Sequence, residues 1–234
     1  MSLICGADGC PGGWVAITHD LNSGVISWQL YRTATELFYK EPTPRIIAID
    51  IPIGLTETGH RLCDKEARKI LGPGRLGSVF TAPIRPVLAA VDYRDDCRIR
   101  LEVDGKKMSW QAYNILHKIK EVDQVLRLNP RLQSRVREVH PEVCFYHLAG
   151  GQAMQSNKKG AQGRAERIAC LAPFFGETLQ QALAQHRQLE SGPDDVLDAF
   201  AALWTAGRIA AGHALTLPSE PPKDSCSLRM EIVV

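Results

Sequence analysis

The chain has 234 residues, with 28 lysines and arginines against 26 aspartates and glutamates, so its formal net charge is +2 at pH 7. Hydrophobic residues make up 44% and charged residues 23%, the proportions of a globular chain that can bury a sizeable core. These values exclude a disordered chain, a collagen-like repeat and a small disulfide-stabilised fold. The near-neutral charge also argues against a polybasic protein that wraps duplex DNA by bulk electrostatics.

Targeting signals and cysteine pairs are absent from the sequence pattern. The N-terminal residues lack the basic and apolar regions of a signal peptide, and no apolar run approaches the roughly 18 residues of a membrane helix. The seven cysteines are scattered, without a Cys-x-x-Cys pair. We therefore predict a cytoplasmic protein with free thiols and no membrane partner.

The N-terminal fifty residues predict a meander followed by a buried strand. Short turn-forming segments separate three predicted strands over residues 3–7, 14–18 and 25–31. A short helix capped by Thr33 or Thr35 follows. The continuously apolar run 45–51 then predicts a strand that is covered on both faces. This order indicates an α/β domain with a mixed sheet.

The remainder of the chain is predicted to be largely helical. Residues 52–130 are interpreted as a mostly helical insertion at one edge of the sheet, within a single domain over 1–234. Amphipathic patterns and capping residues predict the helices. In chain order we predict a helix over 61–71, a long helix after Ser109, a strand over 134–139, a helix over 164–171 after a glycine-rich loop, a helix over 193–212 and an edge strand within 228–234.

Two acidic residues fall where the pattern predicts buried strands. Asp50 lies inside the apolar run that forms the fourth strand, where an unpaired carboxylate is costly or shifts its pKa. Asp8 ends the first strand and is followed by Gly9. Capping of a turn is the alternative explanation at both positions.

The last predicted helix carries further carboxylates. Ser191 and Asp194 resemble a capping box, so the helix dipole accounts for Asp194 and partly for Asp195. Asp198 lies one turn further in, on a helix that is apolar nearly all round. Asp195 and Asp198 are three residues apart and share a face, with roughly 5–6 Å between Cβ atoms. That spacing favours a shared cation.

Together these residues predict a metal centre. Asp8, Asp50, Asp195 and Asp198 offer hard oxygen ligands without a histidine or cysteine cluster, which selects Mg²⁺ or Mn²⁺ over zinc. Two such ions about 4 Å apart activate a water and stabilise the leaving oxygen in phosphodiester hydrolysis. Glu142 is predicted to assist catalysis; a surface carboxylate in a loop is the alternative there.

The order of these elements and acids resembles a known family. Three strands, a helix and a strand, with Asp8 on the first strand and Asp50 on the fourth, are similar to the ribonuclease H-like fold, and the C-terminal acids resemble those of RuvC-type resolvases. More closely, the chain resembles domain of unknown function 429, a family regarded as nucleases of this fold. The motifs that carry this resemblance are Gly6-Ala7-Asp8-Gly9-Cys10-Pro11-Gly12-Gly13-Trp14, Ile49-Asp50-Ile51-Pro52-Ile53-Gly54, Arg61-x-Cys63-Asp64-x-x-Ala67-Arg68-x-x-Leu71-Gly72, Ser78-Val79-Phe80-x-Ala82-Pro83, Glu138-x-His140-Pro141-Glu142 and Asp194-Asp195-x-x-Asp198-Ala199.

Basic residues are concentrated in residues 60–100 and in and after the glycine-rich loop that precedes the helix over 164–171. Residues 60–100 contain nine lysines and arginines against five acids. Positive segments beside an acidic centre suit a phosphate backbone, DNA or RNA, although solvated surface arginines are the alternative at each position. Glycine turns among these residues favour a phosphate cradle. The predicted substrate-binding residues are Arg61, Arg68, Arg75, Ser78, Lys159 and Arg164.

Three functions follow from these patterns. The first is a Mg²⁺- or Mn²⁺-dependent nuclease. The second is a phosphotransferase of the actin and hexokinase type, which shares the sheet topology but repeats the domain in a longer chain. The third is a non-catalytic nucleic-acid or ligand-binding module on a ribonuclease H-like scaffold. The sequence leaves a homodimer open.

Overall fold

A five-stranded mixed sheet forms the centre of the computed structural model, which describes residues 2–234. In chain order its strands are β1 (Leu3–Cys10), β2 (Gly13–Asp20), β3 (Ile26–Tyr31), β4 (Ile46–Asp50) and β5 (Val136–Glu138). They lie side by side in the order β3-β2-β1-β4-β5. The first three strands pair antiparallel, whereas β4 and β5 run parallel to β1. This arrangement is consistent with a ribonuclease H-like fold, so the predicted fold class is confirmed.

Within residues 2–234, the sheet is accompanied by seven α-helices. Their bounds are α1 (Ala34–Phe38), α2 (Leu62–Leu71), α3 (Tyr93–Asp104), α4 (Trp110–Leu128), α5 (Pro141–Leu148), α6 (Ala161–Ala184) and α7 (Pro193–Ala211). Short 3-10 helices at Leu76–Ser78, Arg85–Ala89 and Pro130–Ser134 connect some of them.

The two faces of the sheet bury separate cores because side chains alternate along each strand. Ile4 and Ala48 belong to the core that contains α5, α6 and α7. Ile47 and Ile49 belong to the core that α1 and α4 cover. The strand β4 is therefore buried on both faces, as its continuous apolar sequence predicts.

The residues between β4 and β5 are mainly helical and include α2, α3 and α4. The predicted placement of this segment at one sheet edge needs a correction. Ile119, Val122 and Leu126 of α4 lie in the same core as the strand residue Ile47, so α4 covers a face of the sheet. An apolar stripe along a helix permits either position, and the packing partner decides between them.

Capping residues determine several helix ends, and one prediction there is wrong. Thr33 caps α1 by accepting from the Glu36 backbone N–H, and Ser109 caps α4, both as predicted. The predicted capping pair of Ser191 and Asp194 does not form. Gly192 occupies the cap position instead, one residue later than Ser191.

The C-terminal residues form a separate small sheet, so the predicted edge strand within 228–234 is only partly correct. Strand β6 (Thr216–Leu217) pairs antiparallel with β7 (Ile232–Val233). Helix α6 is also longer than the predicted 164–171, and Gly176 interrupts its backbone with a φ of 48°.

All seven cysteines are free thiols, as predicted. Within residues 2–234, none of the helices combines the length and the apolar composition required to span a bilayer.

Candidate metal centre

Three aspartates meet at one end of the central sheet. Asp50 ends β4 and pairs with Asp8 of the neighbouring parallel strand β1, which continues to Cys10, two residues beyond its predicted end at Asp8. Both side chains lie on the face of the sheet that α7 covers, the face of Ile4 and Ala48. Asp198 reaches the same point from the second turn of α7. One ligand atom from each residue lies within 4.8 Å of the others. The fold thus brings together carboxylates that are distant in sequence.

Burial makes this cluster electrostatically costly. Asp8 is 6% exposed and Asp198 is 1% exposed. Burial, together with repulsion from Asp50 and Asp198, holds the pKa of Asp8 well above its usual value. Burial and the charge on Asp198 raise the pKa of Asp50 to about 8. A bound cation would remove this penalty.

One buried oxygen of the cluster has no hydrogen-bond donor among residues 2–234. Asp8 accepts the Gly9 N–H through Oδ1 at 2.7 Å, and Asp198 accepts the Lys158 ammonium through Oδ2 at 2.5 Å. The buried Oδ1 of Asp198 has no hydrogen-bond donor among residues 2–234. Such a buried orphan oxygen suits a cation ligand, since a buried acceptor without a donor is otherwise destabilising.

The donor set identifies the kind of cation that fits. All three residues offer carboxylate oxygens, and the group contains neither histidine nor cysteine. Oxygen-only sites suit Mg²⁺, Mn²⁺ or Ca²⁺ rather than zinc. Asp8, Asp50 and Asp198 can therefore hold a metal ion, and the ligand chemistry leaves its identity open within this group.

Asp195 is placed apart from the three clustered aspartates. Its Oδ2 accepts the Gly192 backbone N–H at 2.7 Å and so caps the start of α7. Burial raises its pKa to about 6. Asp195 and Asp198 therefore do not act as the predicted pair. Asp195 caps the start of α7, and Asp198 belongs to the cluster.

Glu142 lies in the first turn of α5 and is held by two arginines. Arg75 donates to its Oε2 at 3.1 Å, and Arg167 makes a short ion pair with its Oε1. Arg167 is completely buried. Both oxygens of Glu142 already accept from guanidinium groups. Glu142 is therefore better suited to position Arg75 than to bind a metal ion.

A cleft of about 470 Å³ opens above the aspartate cluster. Acidic, basic and amide side chains line it together with an aromatic ring and backbone. Its lining residues are Asp8, Gly9, Asp50, Ile51, Pro52, Arg75, Gly77, Ser78, Phe80, Gln111, Ile115, Lys118, His140, Pro141, Glu142, Asn157, Lys158 and Asp198. The cluster is thus accessible to a ligand despite the burial of its members.

Only two of the six predicted substrate-binding residues line the cleft. Arg75 and Ser78 line the cleft. The Arg61 side chain is buried in ion pairs with Asp64 and Glu138, which explains its position without any ligand. The other predicted substrate-binding residues lie outside the cleft lining, namely Arg61, Arg68, Lys159 and Arg164.

Arg68 and Arg164 make local contacts with neighbouring segments instead. The Arg68 guanidinium donates to the Val79 carbonyl at 2.8 Å and to the Thr81 hydroxyl at 3.0 Å. Arg164 donates to the Lys159 carbonyl at 3.5 Å. These contacts stabilise the chain beside the cleft.

Three titratable residues of the cleft lining are not among the predicted site residues. Lys158 contacts Asp198, Lys118 donates to the Gly13 carbonyl at 2.6 Å, and His140 lies beside Glu142 in the cleft lining. Burial lowers the pKa of His140 to about 4, so its ring is neutral at pH 7. Lys158 directly precedes the predicted Lys159 in the glycine-rich loop, and this adjacency is a sequence signal for it, whereas nothing in the local sequence of α4 distinguishes Lys118.

Lys158 keeps its charge in this environment. Burial alone would lower its pKa, but attraction from Asp198, Asp8 and Asp50 outweighs that effect and raises the pKa above its usual value. The ammonium group is therefore a fixed positive charge beside the cluster.

The sheet order and the acidic site together define the class, a mixed α/β protein of ribonuclease H-like architecture with a buried carboxylate cluster. The family model described as "Protein of unknown function (DUF429)" matches residues 6–223, and the chain belongs to this family. No curated protein and no solved structure matches it significantly.

Proposed function

We propose that the protein is a metal-dependent nuclease that hydrolyses phosphodiester bonds of nucleic acid. The observation that carries this proposal is the meeting of Asp8, Asp50 and Asp198 at the floor of an open cleft, with ligand atoms within 4.8 Å of one another. A sheet order consistent with the ribonuclease H-like fold agrees with this chemistry but does not by itself assign an activity.

The three aspartates would hold Mg²⁺ or Mn²⁺. When bound, the ion supplies an activated water and neutralises charge on the phosphate. The Gly9 N–H fixes the orientation of Asp8, and packing within α7 fixes Asp198. The chain thus presents its ligands in a preformed arrangement.

Cationic side chains in the cleft support a polyanionic substrate. Arg75 is 19% exposed at its side chain and is oriented by Glu142. Lys118 and Lys158 line the same cleft. Phosphate contacts of this kind position a nucleic acid without reading its sequence. The Ser78 hydroxyl in the cleft lining offers a further phosphate contact.

The reaction adds one water across one P–O bond. The water oxygen bonds to phosphorus, the ester oxygen leaves, and the water's protons are shared between the departing hydroxyl and solvent. The products are a phosphomonoester and an alcohol. In this reaction the Arg75 and Lys158 cations offset the negative charge that grows on the phosphoryl oxygens.

A cleavage assay tests the proposal. Single-stranded, duplex and branched DNA and RNA, end-labelled, are incubated with the protein in Mn²⁺, in Mg²⁺ and in EDTA. We expect cleavage that EDTA abolishes and that Asp8→Asn, Asp50→Asn and Asp198→Asn each reduce at least about 100-fold, since each variant removes a charged ligand. Asp194→Asn on the same helix, outside the cluster, is the matched control and retains activity.

The other outcomes separate the remaining functions. Activity that persists in all three cluster variants would contradict the proposal. Metal-dependent binding of nucleic acid without cleavage would support the non-catalytic module. Stabilisation by nucleotide but not by nucleic acid would support the phosphotransferase. The seven free thiols agree with a reducing compartment such as the cytoplasm, where we propose that the protein acts.

A further inference from the structure

The Lys158 ammonium group lies in the cleft beside the aspartate cluster. Its Nζ lies 2.5 Å from Oδ2 of Asp198, and its side chain is 37% exposed toward the cleft. The cleft lining places it beside Asp8 and Asp50 as well. One lysine therefore contributes a permanent positive charge to a site built from three carboxylates.

The loop that carries Lys158 is anchored on both sides. Glu166 of α6 accepts the backbone N–H groups of Gln155 at 2.7 Å and Ser156 at 3.0 Å. The carbonyl of Ser156 accepts from Arg75 at 3.1 Å and from Arg167 at 3.3 Å. These bonds hold the backbone two residues before Lys158, so its position does not depend on the ion pair alone.

Gly163 brings the same loop close to α6. A Cβ atom at Gly163 would lie 2.0 Å from the Asn157 carbonyl oxygen, an impossible separation. The backbone next to Lys158 thus packs directly on the first turns of α6. The position of the lysine is built into the fold.

The charge of the cluster limits the number of divalent ions. Three ionised carboxylates carry −3, and Lys158 reduces this to −2, which one divalent ion neutralises. A second divalent ion would leave +2 in a buried site, which is electrostatically unfavourable.

The available oxygens lead to the same limit. Lys158 takes Oδ2 of Asp198, and the Gly9 N–H takes Oδ1 of Asp8. In the described part of the chain, the carboxylate oxygens of the cluster that accept no hydrogen bond are Oδ1 of Asp198, Oδ2 of Asp8 and both oxygens of Asp50. That number serves one ion whose other positions are filled by water and substrate.

We propose that the centre binds a single divalent ion and that Lys158 is a built-in second cation, in place of the second metal of a two-metal site. This inference rests on the metal centre of the proposed function. In the complex with nucleic acid, the ammonium group faces the phosphate beside the ion. The positive charge of Lys158 would accordingly limit the centre to one divalent ion.

Counting bound Mn²⁺ tests this proposal without any activity. The full chain is freed of metal with EDTA, exchanged into buffer and titrated with Mn²⁺, and free Mn²⁺ is measured from its electron paramagnetic resonance signal. We expect one Mn²⁺ per wild-type chain. In Lys158→Met and Lys158→Gln, we expect a second Mn²⁺ or at least about tenfold tighter binding of the first, since a repelling charge is removed.

Two further variants are controls. Lys158→Arg keeps the charge and is expected to bind one Mn²⁺. Lys159→Met removes the neighbouring charge outside the cleft lining and is expected to behave as wild type. Circular dichroism establishes that each variant is folded.

The contrary results are distinct. Two Mn²⁺ in the wild type would overturn the single-ion inference and leave the metal centre intact. No Mn²⁺ in the wild type would contradict the metal centre itself. One Mn²⁺ with unchanged affinity in both the methionine and the glutamine variants would overturn the role of Lys158.

Discussion

Asp50 shows most clearly how the site opposes the stability of the fold. Its carboxylate ends a strand buried between two cores and lies opposite Asp8 in the strand pairing. The folded protein raises its pKa to about 8, because burial and the charge of Asp198 disfavour ionisation. An aspartate in an unfolded chain has a pKa of about 3.9. The folded state therefore holds this proton more tightly than the unfolded state.

The sign of the pH dependence follows from that difference. Between about pH 4 and about pH 8 the unfolded chain has released the Asp50 proton while the folded chain retains it. Stability of the metal-free protein thus falls as the pH rises through this window. Above the folded pKa the full penalty of the ionised carboxylate is present.

Asp50→Asn is expected to stabilise the metal-free protein. Asparagine has nearly the same shape and cannot ionise, so at about pH 8 we expect a free energy of unfolding about 1–3 kcal/mol higher than wild type, with a smaller gain at about pH 5, near the lower end of this window. Urea unfolding in EDTA at both pH values measures this. Equal destabilisation at the two pH values would refute the argument, and Asp194→Asn controls for loss of charge outside the cluster.

At the scale of elements, the approach of α7 to β1 delivers Asp198 to the site. Gly6 lies in β1 directly under this helix. A Cβ atom there would lie 2.0 Å from the backbone nitrogen of Leu203 and 2.3 Å from the carbonyl oxygen of Ala199. Only glycine permits this contact between helix backbone and strand, because any side chain would push α7 away.

Gly6→Ala is therefore expected to destabilise the protein severely. Because the clash is with backbone on both sides, rotamer changes cannot relieve it, and we expect a loss above about 3 kcal/mol. Thermal unfolding followed by circular dichroism measures it. A melting temperature within a few degrees of wild type would show that α7 can shift at little cost.

Gly207→Ala provides the matched control on the same helix. A Cβ atom at Gly207 would lie 3.8 Å from Cδ1 of Ile4, an ordinary van der Waals contact. Alanine in a helix interior is favoured over glycine by roughly 0.5–1 kcal/mol, so this variant is expected to be neutral or slightly stabilised.

At the scale of the whole molecule, Arg61 joins the helical segment after β4 to the sheet. Its guanidinium pairs with Asp64 of α2 and Glu138 of β5, each at 2.6 Å, and donates to the Ile53 carbonyl at 3.1 Å. The Ile53 N–H donates in turn to Glu138 at 2.6 Å. These buried bonds connect Glu138 of β5 to two segments that lie 77 and 85 residues earlier in the chain.

Arg61→Met is expected to cost about 3–5 kcal/mol, because it leaves two buried carboxylates without a counter-ion. Burial already raises the pKa of Glu138 to about 7 even though Arg61 opposes the shift. Without Arg61 the ionised form is less favourable still, so the loss is expected to be larger at about pH 8 than at about pH 5.

Arg68→Met is the control for this whole-molecule prediction. Arg68 contacts only neutral partners, the Val79 carbonyl and the Thr81 hydroxyl, so we expect a smaller loss without this pH dependence. Chemical unfolding at both pH values compares the two variants. If Arg61→Met and Arg68→Met lost equal stability at both values, the buried ion pairs would not be the cause.

The sheet and two of the acidic positions were predictable from local patterns. Turn residues between short apolar runs predict the meander, and a continuous apolar run predicts the buried strand β4. An aspartate inside such a run conflicts with its surroundings, and for this reason Asp50 stands out. Asp198 stands out equally, as an acid within an apolar helix.

Other features depended on contacts that no local pattern contains. Asp195 and Asp198 share a helix face in the sequence, yet the helix start takes Asp195 as its cap while the sheet takes Asp198 into the cluster. Arg61 and Arg75 have similar local surroundings, but one is enclosed by two acids and the other lines the cleft. Burial and partners, which distinguish them, arise only on folding.

The sequence by itself determined the class of fold, the family and the conflict between buried strands and acidic side chains, because periodicity and composition act over a few residues. The tertiary structure alone decided which carboxylates meet and that the Lys158 ammonium group lies beside them. Asp8, Asp50 and Lys158 come from three distant segments, and Gly6 allows α7 to bring Asp198 to them. Their electrostatic coupling depends on separations of a few ångströms that only the packed sheet and helices establish.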